Sequence, residues 1–281
     1  MKNLKNALNQ GEPVVGSWIN SGSPIVAELM ATCGFDFLCV DVEHSAVDLP
    51  QAQQLFQAIC SGNPTCSPIV RLPGVDYSFV KRYLDAGARG VVAPLVCTRQ
   101  EAEQLVEAIY YPPRGNRGVG FCRANQYGLN LSGEFERAND EILTAVQIEH
   151  VRGVENIDKI LSVDGIDAVF IGPYDLSASM GLSAQFDHPD FTAAKTRILD
   201  ACRRHGVTPG IHVVPPDTAA FMDAFQQGYR FIAYSLDITI LTTVCRNGLG
   251  TIREEIAAQR KLESGSGHAD RPHSVTHSGK V

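Results

Sequence analysis

Short apolar runs rich in Val, Ile and Phe recur along the chain and alternate with longer segments of mixed polarity. Within each run nearly every side chain is apolar, which is typical of a parallel strand that is buried on both faces. We therefore predict eight strands, at residues 14–18, 37–42, 68–71, 90–95, 144–149, 168–172, 208–213 and 231–235.

Most segments between these runs carry apolar residues at helical spacing. Several end near a glycine, which readily takes the left-handed conformation that terminates helices. Repeated strand–helix units with eight strands predict an α/β fold, a single-domain (β/α)8 TIM barrel, with a doubly wound open sheet as the alternative. Helices are predicted at residues 24–33, 48–60, 78–86 and 99–109, and terminal glycines are Gly34, Gly87, Gly206 and Gly228.

Two stretches depart from this alternation. Residues 111–130 form a long connection rich in Gly, Pro and Arg, and long ordered loops in compact domains are usually functional. Residues 263–281 lack apolar periodicity, so we expect a barrel domain at residues 1–262 and a disordered tail after it. We interpret the tail as solvated, although three of its residues could bind metal adventitiously: His268, His273 and His277.

The composition of the 281-residue chain is that of a globular protein, with 44% hydrophobic and 20% charged residues. The net charge of −7 argues weakly against nucleic acid or an anionic membrane as a partner. No apolar run approaches the ~18 residues of a membrane span, and the polar N-terminus lacks a signal peptide's apolar stretch. We expect a cytoplasmic protein whose eight cysteines are reduced and mostly buried, with a disulfide or zinc framework as the alternative.

Candidate chemistry lies where the predicted strands end, because (β/α)8 barrels build their active sites at the C-terminal ends of the strands. Polar side chains from several strands, together with one indole, reach this rim. They are Asp41, Glu43 and His44 after the second strand, Arg71 at the third, Gln147 and Glu149 at the fifth, Asp175 after the sixth, His212 on the seventh and Asp237 after the eighth, with Trp18 at the first.

Glu149 and Asp175 are candidate ligands of a divalent metal ion. Two carboxylates leave most positions of an octahedral cation open for water and for the ketone and carboxylate oxygens of a 2-oxo acid. Such a cation polarises the ketone as a Lewis acid and stabilises an enolate. The alternative is a pair of ordinary strand-end carboxylates that form ion pairs with arginine.

Arg71 and His44 supply the other groups that this chemistry needs. A guanidinium at the rim can grip a carboxylate in bidentate fashion or balance the charge of an enolate, and a structural ion pair is the alternative. An imidazole beside Asp41 and Glu43 can be held in one tautomer and act as a general base, although many strand-end histidines are structural. The position of Asp85 alone indicates a helix-end carboxylate.

Two absences narrow the mechanism. A Schiff-base aldolase needs a lysine at the rim, and no lysine lies at a predicted strand end. The chain also has no GxxxxGK[ST] loop and no GxGxxG that opens the first helix, which disfavours nucleotide-dependent phosphoryl transfer and Rossmann-type hydride transfer. The seven lysines are Lys2, Lys5, Lys81, Lys159, Lys195, Lys261 and Lys280.

Six segments carry a family resemblance: AELMATCGFDFLCVDVEHS (27–45), IVRLP (69–73), LDAGARGVVAPLVCT (84–98), YPPRGNRGVGFCRANQYG (111–128), VQIEHVRGVENIDKI (146–160) and GIDAVFIGPYDLSASMG (165–181). They span most of residues 10–250 in order. On these segments the chain resembles the HpcH/HpaI aldolases, the metal-dependent class II pyruvate aldolases of the 4-hydroxy-2-oxoheptanedioate or 2-dehydro-3-deoxyglucarate aldolase type.

The resemblance implies a (β/α)8 barrel, often assembled as a hexamer, a trimer of dimers in which neighbours exchange the last helix. It implies a divalent ion, Mg, Mn, Co or Zn, held by Glu149 and Asp175. It also implies His44 as a base that acts through a metal-bound water, oriented by Asp41 and by Asp85 of an adjacent subunit.

For the substrate, the resemblance implies that Arg71 binds pyruvate and its enolate and that Trp18 lines the pocket. Backbone amides of the segment after the sixth strand would bind the substrate carboxylate. That segment is Gly172, Pro173, Tyr174 and Asp175.

Two positions depart from the family pattern. Tyr174 stands where alanine or serine is usual, and His212 stands near a usual leucine, so both add polar groups beside the electrophile pocket. We predict a lyase that reversibly cleaves a 4-hydroxy-2-oxo acid to pyruvate and an aldehyde through a metal-bound pyruvate enolate. The alternatives are a citrate-synthase-like or macrophomate-synthase-like condensation, oxaloacetate decarboxylation and, remotely, a non-catalytic protein that binds metal or a 2-oxo acid. The sequence leaves the aldehyde, the metal and the stereochemistry open.

Overall fold

A computed structural model, which describes residues 3–266, shows eight parallel strands that form a closed barrel in sequential order. Val14 of the first strand pairs with Phe231 of the last. This closure confirms the predicted barrel, because an open sheet would leave its two edge strands unpaired. The strands are β1 (Val14–Ile19), β2 (Phe37–Asp41), β3 (Ser67–Arg71), β4 (Gly90–Ala93), β5 (Leu143–Ile148), β6 (Ala168–Ile171), β7 (Thr208–Val213) and β8 (Phe231–Leu236).

Helices connect the strands, and the four predicted helices are present with ends that differ by at most two residues. The two helices α1 and α6 were not predicted. The first has only six residues, so its apolar stripe spans little more than one turn, and the second buries only Glu134 and Ala138 and shows no clear apolar stripe. The helices are α1 (Leu4–Asn9), α2 (Pro24–Thr32), α3 (Leu49–Gly62), α4 (Tyr77–Ala86), α5 (Arg99–Ile109), α6 (Leu131–Glu141), α7 (Val151–Glu155), α8 (Ile157–Leu161), α9 (Pro173–Ser179), α10 (Pro189–His205), α11 (Thr218–Gln226) and α12 (Asp237–Ser266).

Successive side chains of a strand face two different apolar layers. Phe37 and Cys39 of β2 belong to the cluster that fills the barrel interior. Leu38 and Val40 belong to the larger cluster that includes the helices. The near-continuous apolar runs therefore follow from burial on both faces. Since side chains two residues apart share a face, Asp41 continues the interior row of β2.

Helix α1 packs into the N-terminal end of the barrel. Its buried Leu4 and Leu8 join the interior cluster. Lys5 Nζ lies 3.0 Å from Asp167 Oδ1, just before β6, and donates to the hydroxyl of Tyr110 at 3.1 Å. This end of the interior is therefore closed by apolar side chains and one partly buried ion pair.

Local signals fix where the helices begin and end. Before α5, the Thr98 hydroxyl accepts from the backbone N–H of Glu101 at 3.2 Å, and the Glu101 carboxylate accepts from the backbone N–H of Thr98 at 2.9 Å. Gly87 ends α4 with a φ of 114°, a conformation that strains any residue with a Cβ. The predicted helix end at this glycine is confirmed.

The cysteines form no cross-links. All eight are free thiols, as the sequence predicted. Four are buried and two more are partly buried, while Cys33 and Cys245 are exposed. The prediction that most of them are buried therefore holds for only half of the eight.

The chain divides into two compact units, residues 1–240 and residues 241–281. As far as it is described, the second unit is the continuation of α12 to Ser266, with exposed apolar side chains such as Leu241, Val244 and Ile252. Apart from residues 263–266, which belong to α12, the predicted tail and its three histidines lie outside the described residues. None of the described helices combines the length and the apolarity of a membrane-spanning segment.

Candidate active site

The barrel interior becomes polar toward the C-terminal ends of the strands. The interior row of β5 begins with the buried Leu143 and Ala145 and continues with Gln147 and then Glu149. The same alternation gives β2, β3 and β8 polar side chains at their last interior positions. The predicted rim is therefore the polar upper layer of an otherwise apolar barrel.

Arg71, at the end of β3, is held by two carboxylates. Its Nε and Nη2 donate to the two carboxylate oxygens of Asp41 at 2.9 and 2.6 Å, and its Nη1 lies 3.1 Å from Glu43 Oε2. Asp41 is fully buried and Arg71 is 9% exposed. Burial by itself raises the pKa of Asp41, but the hydrogen bonds and charge of Arg71 hold that pKa below its ordinary value. The guanidinium is thereby fixed in one orientation.

The loop after β1 supports the same pair. Asn20 Nδ2 donates to Asp41 Oδ2 at 2.7 Å. The backbone N–H groups of Asn20 and Ser21 donate to the Asp237 carboxylate at 2.9 and 3.0 Å. Asp237, which the sequence placed at the rim without a role, anchors this loop. Asn20 was missed in the sequence, although it directly follows the first strand.

Glu149 is a buried carboxylate, 5% exposed. Its Oε1 accepts from the backbone N–H of Leu95 at 2.7 Å, and its Oε2 accepts from the side-chain amide of Gln147. Despite these bonds, burial raises the pKa of Glu149, and the negative charges of Glu43 and Asp175 raise it further. A positive charge placed here would stabilise the ionised carboxylate.

The residues at this position fit a divalent metal ion. Glu149 and Asp175 supply carboxylate oxygens, which hard cations prefer. A glycine at position 172 keeps the Glu149 carboxylate free, because a Cβ on Gly172 would lie 2.7 Å from Glu149 Oε2. Among the described residues, no group of three or more His, Cys, Asp or Glu side chains forms a complete metal cage. A site with two carboxylates leaves the other coordination positions to water and substrate oxygens.

Leu95 presents its N–H to Glu149 from an unusual backbone conformation. Its φ is 53°, in the left-handed region that costs on the order of 1–3 kcal/mol for a residue with a Cβ. Its side chain is 56% exposed. The sequence gives no indication of this role, because a leucine does not mark a left-handed backbone.

His44 lies at the mouth of the site with 62% of its side chain exposed. Its Nε2 is 3.9 Å from Glu43 Oε2. Asp41 Oδ1 accepts from the backbone N–H of His44 at 3.3 Å, while the same carboxylate binds Arg71. The acidic surroundings of His44 are present, and the orientation of its imidazole by Asp41 stays a prediction.

Three planar side chains meet beside Arg71. The guanidinium carbon of Arg71 lies 4.3 Å from a ring centroid of the Trp18 indole. The imidazole of His212 stacks on the indole, with ring centroids 5.0 Å apart and an interplanar angle of 12°. His212 Nε2 lies 2.9 Å from the carbonyl oxygen of Ser235. Burial lowers the pKa of His212 to about 4, so its imidazole is neutral at pH 7 and Nε2 is the donor in this bond.

The segment after β6 begins helix α9. Gly172 precedes the helix as its N-cap, and Pro173 occupies the first helical position. Tyr174 is 51% exposed and packs edge-on against Phe186, with ring centroids 5.1 Å apart. Asp175 lies in the first turn and is exposed. Binding of a substrate carboxylate by the amides of this segment stays a prediction.

Asp85 lies apart from the other candidates. It is in the last turn of α4, close to where β4 begins, and so at the opposite end of the barrel from the rim. Its Oδ1 accepts from Nη2 of the fully buried Arg117 at 2.8 Å, and that guanidinium packs over Tyr111 at 4.6 Å. Within one chain Asp85 does not meet His44, and its role in an adjacent subunit stays a prediction.

The long connection at residues 111–130 is organised around the buried side chain of Asn125. Its Oδ1 accepts from the backbone N–H groups of Cys122 and Gly128 at 3.1 and 2.9 Å, and its Nδ2 donates to the carbonyl of Gly120 at 2.7 Å. The loop exposes 78% of Phe121. It is therefore a structured loop with an exposed apolar side chain, and its function stays a prediction.

Known proteins resemble this chain in sequence and in fold. A profile of the family described as HpcH/HpaI aldolase/citrate lyase matches residues 15–243. The hydroxypyruvate/pyruvate aldolase of Sagittula stellata is 40% identical over 241 residues, which cover 85% of this chain and 93% of that protein. The 4-hydroxy-2-oxo-heptane-1,7-dioate aldolase of Salmonella paratyphi B is 36% identical over 269 residues, covering 95% of this chain and 99% of that protein. The crystal structure of an HpcH/HpaI aldolase/citrate lyase family protein from Burkholderia cenocepacia superposes with a TM-score of 0.85 at 36% identity, covering 90% of this chain and 100% of that one.

Proposed function

The chain belongs to the HpcH/HpaI aldolase/citrate lyase family, and on that premise we propose that it is a carbon–carbon lyase acting on 4-hydroxy-2-oxo acids. The reaction is a reversible aldol cleavage that yields pyruvate and an aldehyde. Relatives named as pyruvate and 4-hydroxy-2-oxo acid aldolases, aligned over nearly their whole length, support this reaction type.

The observation that carries the proposal is the presence of Arg71 and Glu149 at the same rim, each with its own partners. Arg71 is a fixed, buried cation, and Glu149 is a buried carboxylate that a cation would stabilise. A 2-oxo acid, with its carboxylate and ketone oxygens, is complementary to a guanidinium on one side and a cation site on the other.

Glu149 and Asp175 would hold the divalent ion, with Mg, Mn, Co and Zn as the candidates. When bound, the ion supplies Lewis-acid polarisation of the 2-oxo group. Leu95 and Gln147 hold the Glu149 carboxylate through its two oxygens, so that this ligand is already oriented. The groups that orient this ligand are therefore one backbone N–H from the segment after β4 and one side-chain amide from β5.

The remaining steps fall to the chain's own residues. His44, exposed at the mouth, removes the proton of the C4 hydroxyl. The C3–C4 bond then breaks, the aldehyde leaves, and the electron pair of the bond passes to the pyruvate enolate. Arg71, fixed by Asp41 and Glu43, balances the negative charge of the enolate. A proton delivered to C3 completes the methyl group of pyruvate.

Exchange of the pyruvate methyl protons in heavy water tests this proposal without knowledge of the aldehyde. We expect the methyl signal in proton NMR to disappear with Mg²⁺ and to persist with a chelator. Arg71→Lys and Glu149→Gln should each slow the exchange by a factor of about 100 or more. The control Arg99→Lys alters an exposed ion pair with Glu103 and should leave the rate unchanged. Wild-type rates in both site variants would contradict the proposal.

A second candidate function uses the same enolate with a different electrophile. Two polar groups at the edge of the site favour it, the His212 imidazole stacked on Trp18 and the exposed ring of Tyr174. The enolate would then arise by decarboxylation of oxaloacetate, or would add to an acyl thioester. Release of CO₂ from oxaloacetate at a higher kcat/KM than cleavage of any 4-hydroxy-2-oxo acid would favour this candidate over the aldolase.

We also propose a hexamer built as a trimer of dimers. The exposed apolar side chains of Leu241, Val244 and Ile252 support an assembly in which a partner covers them. In such an assembly Asp85 of one subunit would complete the site of its neighbour beside His44.

A further inference from the structure

Trp18, the chain's single tryptophan, lies between two side chains that approach it from opposite directions around the barrel. His212 is on β7 and Arg71 is on β3, and the strand order β7, β8, β1, β2, β3 places Trp18 of β1 midway between them. The imidazole lies 5.0 Å and the guanidinium carbon 4.3 Å from an indole ring centroid. Imidazole, indole and guanidinium thus form one continuous row at the rim.

The imidazole end of this row is fixed to the backbone. His212 Nε2 donates to the carbonyl oxygen of Ser235 at 2.9 Å, and the same oxygen accepts from the hydroxyl of Ser17 at 3.1 Å. Ser235 has a φ of 54°, and its own hydroxyl donates to the carbonyl of Val214 at 2.9 Å. The plane of the imidazole is therefore set by a main-chain acceptor rather than by a mobile side chain.

The indole has no such anchor. Trp18 is only 3% exposed, and its buried Nε1 has no hydrogen-bond partner among the described residues. Its other aromatic neighbour, Phe170, is tilted by 42° at 5.7 Å, whereas His212 is nearly coplanar at 12°. The flat contact with His212 is the one that best defines the plane of the indole.

Arg71 depends on that plane. Its N–H edges are taken by Asp41 and Glu43, which fix the guanidinium within its own plane. Its guanidinium carbon lies 4.3 Å from a ring centroid of Trp18, within cation–π distance, so the position of the indole limits where the guanidinium can lie. Movement of the indole would therefore displace the group that balances the enolate charge.

We propose that His212 is a positioning residue that holds the indole of Trp18 flat and thereby fixes the guanidinium of Arg71 for the reaction. The catalytic consequence rests on the proposed lyase function, whereas the positioning itself does not. Burial keeps His212 neutral, so that the row contains a single cation. A charged imidazole beside Arg71 would repel it.

Fluorescence of the single tryptophan tests the positioning on the full chain. His212→Ala removes the ring, and His212→Asn keeps a donor for the Ser235 carbonyl. We expect His212→Ala to shift the emission maximum and to raise quenching by acrylamide about threefold, with an intermediate effect for His212→Asn. The control His205→Ala removes a histidine at the end of α10, which contacts Asp158, and should leave the emission unchanged.

Pyruvate methyl exchange tests the catalytic consequence. We expect His212→Ala to slow the exchange about tenfold in the wild-type background. In the Arg71→Lys background the same change should cost less than about twofold, because lysine has no planar group to rest on the indole.

Equal losses in both backgrounds, or an unchanged emission in His212→Ala, would overturn the proposal. If His212→Ala does not fold, His212→Asn carries both measurements, with the same signs and smaller effects. An absence of exchange in the wild-type protein would contradict the proposed aldol cleavage. The emission change would then still decide whether His212 holds Trp18.

Discussion

Single residues at the rim combine burial with charge, and this combination makes them sensitive to small changes. Asp41 and Arg71 compensate each other across two strands. Glu149 has two neutral donors, and no cationic side chain within residues 3–266 is bound to it. A buried carboxylate of this kind lowers the stability of the ligand-free protein and binds a cation in return.

His212 makes the folded protein sensitive to acid. Burial lowers its pKa from an ordinary 6.5 to about 4, with the charge of Arg71 lowering that pKa and the charge of Asp41 raising it. Between these two values the unfolded chain binds a proton that the folded chain does not, so the free energy of unfolding falls as the pH drops from 6.5 to 4. The fall should reach about 3 kcal/mol at most.

Urea unfolding between pH 7.5 and pH 4.5 measures this effect. His212→Asn should remove its share of the pH dependence, whereas His205→Ala, at the end of α10, should keep the wild-type dependence. Identical pH slopes for the wild type and His212→Asn would show that His212 is not the titrating group.

Two substitutions of Leu95 test whether the backbone conformation that presents its N–H to Glu149 matters for the reaction. Leu95→Gly keeps the N–H and accepts a φ of 53° without strain, so binding of Mg²⁺ and pyruvate should be retained. Leu95→Val adds a β-branch that disfavours this φ, and we expect it to lower the methyl exchange about tenfold. The increase in Tm caused by Mg²⁺ and pyruvate gives a second readout. Equal behaviour of the two variants would show that Glu149 does not depend on this conformation.

At the scale of elements, the two ends of four strands differ in character. The interior rows of β2, β3, β5 and β8 contain apolar side chains, in the cluster that includes Leu4 and Leu8 of α1, and end with polar side chains at the rim. A change in α1 should therefore alter stability and leave the reaction intact, as is general for the two ends of such barrels.

Lys5 of α1 provides the test. Lys5→Met leaves the Asp167 carboxylate, 8% exposed, without its cation, and we expect the free energy of unfolding to fall by about 3 kcal/mol. The exchange rate of the folded protein should be unchanged. Lys159→Met, at an exposed position of α8, is the matched control and should change neither quantity. A loss of activity without a loss of stability would contradict this division of the barrel.

At the scale of the whole molecule, one chain contains every predicted site residue but does not bring all of them together. Asp85 is held by Arg117 near the N-terminal end of β4, while His44 stands at the opposite rim. A hexamer with sites shared between subunits explains how both residues could serve one reaction.

Subunit mixing tests that assembly. His44→Asn and Asp85→Asn should each slow the methyl exchange about tenfold or more. After the two variants are unfolded and refolded together, hybrid assemblies contain some sites with both original residues, so part of the activity should return. Light scattering should give a mass of six chains. A monomer, or an absence of recovery in the mixture, would contradict the shared site.

The amino-acid pattern alone was enough to predict the barrel and most of the polar side chains at its rim. Burial on both faces makes the strands continuous apolar runs, and all eight were found within two residues of their ends. Parallel strands in a closed barrel end at one rim, so polar residues at the strand ends could be named in advance. Helix α1 was missed because its six residues are too few to show a periodic pattern, and α6 because it buries only one apolar side chain.

The contacts between the rim residues could not be predicted in this way and follow from the three-dimensional fold. Asp41 binds Arg71 because β2 and β3 pair in a register that places these two residues side by side. The Asp41 carboxylate also accepts from the backbone N–H of His44. Trp18 lies between His212 and Arg71 because the barrel closes between β8 and β1. Contacts of this kind join residues that are distant in the chain, so no local pattern of residue types reveals them. The left-handed backbone at Leu95 likewise follows from the packing around it and not from its residue type.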